Sequence, residues 1–395
     1  MLEFLTLKPE SFGLDISDLS LKIIKLEKKR GFLTLSSFLE TAIPSGMIQG
    51  GEIKDETSLS KIIKEACSKV KGEKLKTNYV IASLPEEKSF LQVIQMPKIP
   101  EHDLKSAVIY EAENYIPLAI EDVYLDSQIV KPMFDHLDHY DVLIAALPKK
   151  TVDPYLSCFK NAGLMPKALE IESLAIARAL VKNEIAPFPT LLIDMGATRT
   201  SFIIFSGYSL RFTCSIPISS QKFNEAVSKT LNVDLEEAEK LKIKYGLNGS
   251  KKVILKERTG DSKFEKNIIE NKKIFEALIP ALTDLTEQIK KHLDYYQTHA
   301  VHEHLSVERS EEWRRTNVLR AAEGKGVQKI FLSGGGANLK GLVDFLSSEF
   351  KTPVEVANPW INILPKPLKE VPHLPFEESL KYTTALGLAI RGIKE

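Results

Sequence analysis

Between Phe12 and Leu26 the chain sets two apolar runs, Phe12-Gly13-Leu14-Asp15-Ile16 and Leu21-Lys22-Ile23-Ile24-Lys25-Leu26, on either side of a polar break at Ser17-Asp18. That pattern predicts a β-hairpin, and a third strand over Phe32 to Leu39 follows it. From Ser58 to Lys71 the apolar positions Leu59, Ile62, Ile63, Ala66 and Val70 fall at helical spacing behind a Ser/Thr start. Tyr79 to Leu84 then reads as a short buried strand. Strands, a helix and another strand make an α/β layer rather than a closed β-barrel. The texture changes at Phe90. Pro97 and Pro100 break the chain ahead of a helix at about Glu101 to Asn114, and strands near Val123 to Val130 and Tyr140 to Ala146 complete an inserted α+β subdomain. A helix from about Val152, the run Pro166 to Ile171 and a helix over Ile171 to Lys182 return to the first layer. Pro187-Phe188-Pro189 marks a boundary.

Beyond that boundary the opening pattern comes back in Leu191-Leu192-Ile193-Asp194-Met195-Gly196-Ala197-Thr198-Arg199-Thr200-Ser201-Phe202-Ile203. Aligning Asp15 with Asp194 places Ser17 on Gly196 and Ile23-Ile24 on Phe202-Ile203, which indicates an internal duplication. A third element, Lys329 to Leu342, feeds a strand into Gly334-Gly335-Gly336 and then a helix. Small residues in such turns let backbone N–H groups approach an anion that a Cβ would hold away. Gly196, Ala197, Thr198 and Thr200 supply one such turn. Asp194, at a strand end, suits Mg²⁺ held directly or through water, and the triglycine leaves backbone room beside a helix start.

Composition narrows the classes. The 395 residues are 43% hydrophobic and 27% charged, as in soluble globular proteins, and the length points to two or three domains. Lys plus Arg and Asp plus Glu are 53 each, so no net field draws the chain to nucleic acid or to an anionic membrane. Cys67, Cys158 and Cys214 are far apart and encode neither a disulfide framework nor a zinc site, which suits a reducing cytoplasm. The start has no signal-peptide pattern, and no run approaches the ~20 apolar residues of a membrane helix.

The chain resembles the actin-like ATPase superfamily, and within it the PilM family of type IV pilus assembly proteins, relatives of FtsA. The resemblance covers nearly the whole chain. It runs through Gly13-Leu14-Asp15-Ile16, Met96-Pro97-Lys98-Ile99-Pro100, Tyr110 to Pro117, Ile193 to Ala197, Ala238 to Gly246, Ser333 to Leu339, Asn358-Pro359-Trp360 and Ala385 to Ala389. Of these the Ile-Pro-rich insert segments are the most specific to PilM proteins, whereas the glycine motifs are shared across the superfamily.

The resemblance implies an α/β fold, a two-lobed actin-like ATPase (duplicated ribonuclease-H-like) fold with an inserted α+β subdomain, and ATP with Mg²⁺ between the lobes. The implied organisation is a first lobe over 1–89 with phosphate hairpin 1, the partner-binding insert over 90–148, and a return to the first lobe over 149–189. The second lobe covers 190–395, with hairpin 2, the adenosine motif and its own insert at about 222–326. Asp15, Ser17 and Lys22 would meet the phosphates from one hairpin and Asp194, Gly196, Ala197 and Thr198 from the other, with Asp15 and Asp194 as metal residues. Glu239 and Lys242 would reach the ribose and base side, and Gly334, Gly335, Gly336 and Asn338 would line the adenosine. Family membership also implies a groove for the cytoplasmic N-terminal peptide of PilN, with Tyr110, Tyr115, Ile116 and Pro117 as its rim. Further implied partners are other platform proteins, the pilus motor ATPase and a second copy of the chain. The site would be cytoplasmic, at the inner membrane only through partners and without nucleic acid. Type II secretion systems use a related fold.

Ser17-Asp18-Leu19 departs from the family's small-residue turn. Two carboxylates in a desolvated cleft repel, so Asp18 is expected to point to solvent or engage the metal, and removing it to tighten nucleotide. No hydrolytic base is placed by spacing, so turnover is expected to be slow or absent and the nucleotide structural or regulatory. The rival readings are an FtsA/MreB-like filament former and a sugar or acetate kinase of the same superfamily. A kinase needs a positioned Asp base beside a substrate pocket. FtsA-like chains end in an amphipathic membrane helix, where this sequence stops at Arg391-Gly392-Ile393-Lys394-Glu395.

Three bland patterns complete the reading. His292, His299, His302 and His304 read as a solvated helix extension rather than a metal site, and Thr298 to Gly326, with Trp313, as a loop longer than the family pattern needs. Lys61, Lys64, Lys69, Lys71, Lys74 and Lys76, interleaved with Glu65 and Glu73, read as a solvated face. Ile361-Asn362-Ile363-Leu364-Pro365 is similar to the Asn-Leu-Leu-Pro type of peptide expected from PilN, a similarity read as chance.

Overall fold

A computed structural model of the chain describes residues 9–29, 31–131, 138–247, 262–299, 326–364 and 372–394. The chain divides into two compact units, Met1–Pro187 with Ile203–Cys214 and Asn358–Glu395, and Phe188–Phe202 with Ser215–Ala357. The first opens with β1 (Phe12–Ile16), β2 (Ser20–Lys29) and β3 (Phe32–Ala42), followed by the small hairpin β4 (Ile48–Gln49) and β5 (Glu52–Ile53). Helix α1 (Glu56–Ser68) starts where Asp55 accepts the Ser58 N–H, as an N-cap should. Next come β6 (Lys71–Gly72), β7 (Tyr79–Leu84), β8 (Phe90–Pro97), α2 (Glu101–Ala112), β9 (Val123–Ile129), β10 (His139–Pro148), α3 (Lys149–Asn161), β11 (Met165–Ile171) and α4 (Glu172–Leu180).

Among the described residues the main sheet of this unit has the order β11-β7-β1-β2-β3-β6. β1 runs antiparallel to β2, with Asp15 opposite Lys22, and parallel to β7, with Leu14 opposite Ala82. Leu14, Ile16, Leu21 and Ile23 form its core with Leu59 and Ile63 of α1 and Tyr155 and Phe159 of α3. The insert has a sheet of its own, ordered β8-β10-β9. On it α2 lays Leu104, Val108 and Ala112, against Ile94, Val142 and Ile144.

Next in the chain are β12 (Ala186–Met195), β13 (Thr200–Gly207) and β14 (Ser209–Ile216), of which Ile203–Cys214 is counted with the first unit, and then, in the second unit, α5 (Ser220–Leu231), α6 (Leu235–Tyr245), α7 (Ser262–His299), β15 (Lys329–Ser333), α8 (Leu342–Phe350) and β16 (Val354–Val356). The sheet order is β14-β13-β12-β15-β16. Pro187 and Pro189 lie inside β12 rather than before it. They are tolerated because pairing with β15 starts only at Thr190, opposite Lys329.

The chain ends in α9 (Phe376–Ser379) and α10 (Thr383–Lys394), which belong to the first unit. A Cβ on Gly13 would lie 2.4 Å from the Ala385 carbonyl, and one on Gly387 would lie 1.9 Å from that of Ala175. These two glycines let α10 press onto β1 and α4.

Candidate functional site

Each unit carries one acidic strand-turn-strand. In the first, Asp15 is buried at the end of β1, and its Oδ1 accepts from Ser83 Oγ at 3.0 Å, which in turn accepts the Ile16 N–H at 3.0 Å. Asp15 Oδ2 lies 3.6 Å from the ammonium of Lys22, which donates to Ser20 Oγ at 2.7 Å. The turn closes through Ser17 N–H to the Ser20 carbonyl at 2.9 Å, and Ser17 Oγ also bonds that carbonyl at 3.1 Å. Asp15, Ser17 and Lys22 therefore form one network, whose organising hydroxyl, Ser83, sequence reasoning missed. With an ammonium already beside Asp15, a divalent cation fits this carboxylate poorly.

Asp18 neither points to solvent nor waits for a metal. Its Oδ2 accepts the Gly50 N–H at 2.9 Å and its Oδ1 the Gly51 N–H at 3.0 Å. Both glycines have positive φ, 54° and 74°, the signature of a type I′ hairpin turn. The carboxylate is held by the β4–β5 hairpin, a partner 32 residues away that spacing could not reveal.

In the second unit Gly196 N–H donates to the Arg199 carbonyl at 2.9 Å. Under the alignment of Asp15 with Asp194 this is the bond made by Ser17 and Ser20. Asp194 is partly exposed at the end of β12 and is opposite Ser333 of β15. Gly196 and Ala197 offer their carbonyls to the N–H groups of Ser220 and Gln221 at 3.1 Å each, while Ser219 Oγ accepts from Lys222 N. The first N–H groups of α5 are thus consumed by the turn and its cap. The turn's own exposed surface is Ala197, flanked by half-buried Gly196 and Thr198.

Lys242 of α6 reaches the same corner, donating to Ser220 Oγ at 2.6 Å and to its carbonyl at 3.1 Å. Burial pushes its ammonium down to about 8, against the opposing charge of Glu239. Glu239 itself is exposed one turn earlier on the helix. The end of α6 is tied to the triglycine region by Leu247 N–H to the Lys340 carbonyl at 2.8 Å.

Within the triglycine, a Cβ on Gly334 (φ 79°) would lie 2.5 Å from the Met195 carbonyl oxygen, and one on Gly336 would lie 2.8 Å from Met195 Cβ. These two glycines are required by the packing of the loop on β12. Gly335 and Asn338 are exposed. Asp194, the Gly196–Thr198 turn, Lys242 and the triglycine thus share one neighbourhood. Among the described residues no group of three His, Cys, Asp or Glu can hold a metal. A hard cation at Asp194 would take its other oxygens from water and phosphate.

On the insert, Tyr110 is 72% and Tyr115 39% exposed, and Pro117 is exposed. Ile116, expected on this rim, is instead 6% exposed in the insert's core. Ile109 and Leu118 take its place at the surface, 40% and 44% exposed.

Asn362 of the PilN-like run closes α4: its Nδ2 donates to the carbonyls of Arg178 and Val181 at 2.9 and 2.8 Å, and its Oδ1 accepts from Asn183 N at 2.9 Å. His292 packs its ring against Phe202 and bonds the Gln288 carbonyl. The side chain of His299, together with His302, His304, Trp313 and Pro365, lies outside the described residues.

Comparison with known proteins gives these turns a context. The family profile described as type IV pilus assembly protein PilM matches residues 13–256. The chain belongs to the PilM family. A profile of the cell division protein FtsA also matches, over residues 191–387. Across 98% of this chain and 100% of the other, the fold superposes on a PilM–PilN type IV pilus biogenesis complex with a TM-score of 0.72 and 25% identity. MreB5 of Spiroplasma citri bound to AMPPNP superposes over 98% of each chain with a TM-score of 0.51 and 14% identity, which places this PilM-family chain in the actin-like fold. FtsA of Enterococcus hirae is 32% identical over 28% of this chain and 25% of its own length. FtsA of Pseudomonas aeruginosa is 23% identical over 60% of this chain and 50% of its own length. The chain thus spans half or less of these curated relatives. Among the described residues no helix is long and apolar enough to cross a membrane.

Proposed function

We propose that this protein is a nucleotide-binding scaffold of the type IV pilus inner-membrane platform, and that its insert, residues 90–148, takes the cytoplasmic N-terminal peptide of PilN. The observation that carries this reading is the likeness to a PilM–PilN complex over nearly the whole chain. The exposed Ile109, Tyr110, Tyr115 and Leu118 support it, as an apolar and aromatic rim on which an extended peptide with an Asn-Leu-Leu-Pro core can seat alternate side chains. ATP with Mg²⁺ is the proposed ligand of the second unit. The Gly196–Thr198 backbone and Lys242 would serve the anionic groups, Asp194 would hold the cation through water, and Gly335 and Asn338 would meet the nucleoside. The nucleotide acts as a structural or regulatory ligand with slow turnover, since the sequence places no hydrolytic base by spacing. The protein works at the cytoplasmic side of the membrane through its partners.

Titration of a synthetic PilN N-terminal peptide against wild type, Tyr110→Ala and Tyr115→Ala tests the peptide reading. Tight binding to wild type with at least ~10-fold loss in the folded variants is expected for aromatic anchors. Equal binding by all three would move the peptide off the insert. The FtsA match over 191–387 favours a filament former as the second reading, and nucleotide-dependent polymer in a sedimentation assay would select it.

A further inference from the structure

Lys242 is a cation that the second unit buries without giving it a counter-charge. The residue is 6% exposed, and its ammonium donates to Ser220 Oγ at 2.6 Å and to the Ser220 carbonyl at 3.1 Å. Both acceptors are neutral, and among the described residues the ammonium makes no ion pair. Glu239, one turn back on α6, is the one charged group that acts on it, and that residue is exposed. No charged group of α5 or α7, the helices packed against α6, does so. Arg199, the cation of the neighbouring turn, donates to Ser215 Oγ at 3.0 Å.

The backbone adds to the cost. Ser220 is the first residue of α5, behind its N-cap Ser219, so the ammonium lies at the positive end of the α5 dipole. Desolvation and the dipole both disfavour the charged form, and hydrogen bonds to two neutral oxygens offset only part of that penalty. The ammonium accordingly titrates at about 8 rather than 10.5. The position lacks a negative charge, and the turn that would hold one is adjacent, with the Gly196 and Ala197 carbonyls accepting the Ser220 and Gln221 N–H groups.

We propose, on the basis that a nucleotide is this unit's ligand, that Lys242 makes its binding proton-linked. A polyphosphate supplies the counter-charge that the fold withholds, so ligand and proton each favour the other by the same factor, and the site loosens under alkaline conditions. In the empty protein the loss of that proton relieves the buried charge. An arginine at this position would stay charged and would carry no such linkage.

The test is calorimetric titration of the full chain with ATP–Mg²⁺ from pH 7 to pH 9, above the second phosphate pKa of about 6. Wild-type affinity should fall about tenfold across that range, as one proton is taken up by a group that titrates at about 8. At pH 8.5, buffers of different ionisation enthalpy should report roughly 0.7 proton bound per nucleotide, a readout that needs no variant. Lys242→Arg should bind with the same affinity at every pH in the range, and Lys242→Met should be equally flat and weaker than wild type at pH 7. Thermal melting of both variants without nucleotide separates lost binding from lost fold. A wild-type affinity independent of pH, with no proton taken up, would overturn the proposal and leave ATP as the ligand. A pH dependence undiminished in folded Lys242→Arg would overturn it as well, by assigning the proton to another group. Absence of binding at every pH would remove the nucleotide itself, and the linkage with it.

Discussion

Replacing Asp18 separates two opposite expectations for the first turn. Charge repulsion in a phosphate site predicts that removing the carboxylate tightens nucleotide. In the structure the same carboxylate holds the Gly50 and Gly51 N–H groups at 2.9 and 3.0 Å, which predicts a loss of fold stability. The Gly50–Gly51 turn has other dependents. The Gly51 carbonyl accepts from the Tyr155 hydroxyl at 3.0 Å, and a Cβ on Gly51 would lie 2.5 Å from Pro85. Its position therefore bears on α3 and on the segment after β7.

A hydrogen bond to a charged acceptor is worth about 1.5–3 kcal/mol. Asp18 is only half-buried, and the two bonds share one carboxylate, so the pair together should contribute about 2–3 kcal/mol rather than twice the single value. For a domain of this size each kcal/mol moves Tm by ~2–4 °C. Asp18→Ala should therefore lower the melting transition of the first unit by ~5–10 °C, and Asp18→Asn, which keeps one acceptor oxygen, by about half as much. Differential scanning calorimetry of the nucleotide-free protein reads this directly. An Asp18→Ala variant whose Tm stays within ~1 °C of wild type, and which binds ATP more tightly, would refute the anchoring role and restore the repulsion.

The triglycine separates packing from ligand. Gly334→Ala, at positive φ and against the Met195 backbone, should destabilise by about 3 kcal/mol or more with or without ATP. Exposed Gly335→Val should fold normally yet lose the thermal stabilisation that ATP–Mg²⁺ gives. Lys242 titrates at about 8 in the fold, against an ordinary 10.5. Between these pH values the unfolded chain binds more protons, so wild-type stability should rise from pH 8 to pH 10 relative to Lys242→Met, by at most about 3 kcal/mol, read from urea midpoints. Arg211 of β14 donates to the buried Asp141 of β10 at 2.9 Å. Arg211→Ala, which removes the guanidinium and leaves Asp141 with His139 Nε2 at 3.5 Å, should cost about 1–3 kcal/mol by the same assay.

Period and punctuation made most of the secondary structure legible, because local sequence decides both. The strand at Tyr79–Leu84 and the hairpin around Ser17-Asp18 have apolar runs that only a buried strand explains. The duplication was also readable, since Asp15 and Asp194 sit at the same place in the same apolar frame. What stayed hidden depends on partners distant in sequence. Ser83 lies 68 residues from the Asp15 it bonds, and Ser220 lies 22 residues from Lys242. Neither serine stands in a motif. Ile116 looked like a rim residue because it follows Tyr115, yet past the end of α2 the chain turns it inward onto Val108 and Ala112. The prolines at 187 and 189 marked a boundary, and the two units divide between Pro187 and Phe188 although both prolines lie within β12. The structure accommodates them ahead of the β15 ladder.

The two turns close with the same backbone bond, yet they are finished differently, and the difference bears on what each can recognise. In the first, Ser17, Ser20, Asp15 and Lys22 bond one another, while Asp18 reaches away to another hairpin. An anion arriving there meets side chains already committed, with the Lys22 ammonium as its source of attraction. In the second, the residues at the corresponding positions are Gly196, Ala197 and Thr198, whose small side chains leave the backbone uncovered, and the carbonyls that would repel an anion are turned into the start of α5. With the Gly196 N–H given to the Arg199 carbonyl, a phosphate here would be met by the N–H groups of Ala197 and Thr198, without carbonyls of Gly196 and Ala197 facing it. Specificity for a nucleotide should therefore reside in the second unit, where changes at Gly335 should separate ATP from inorganic triphosphate.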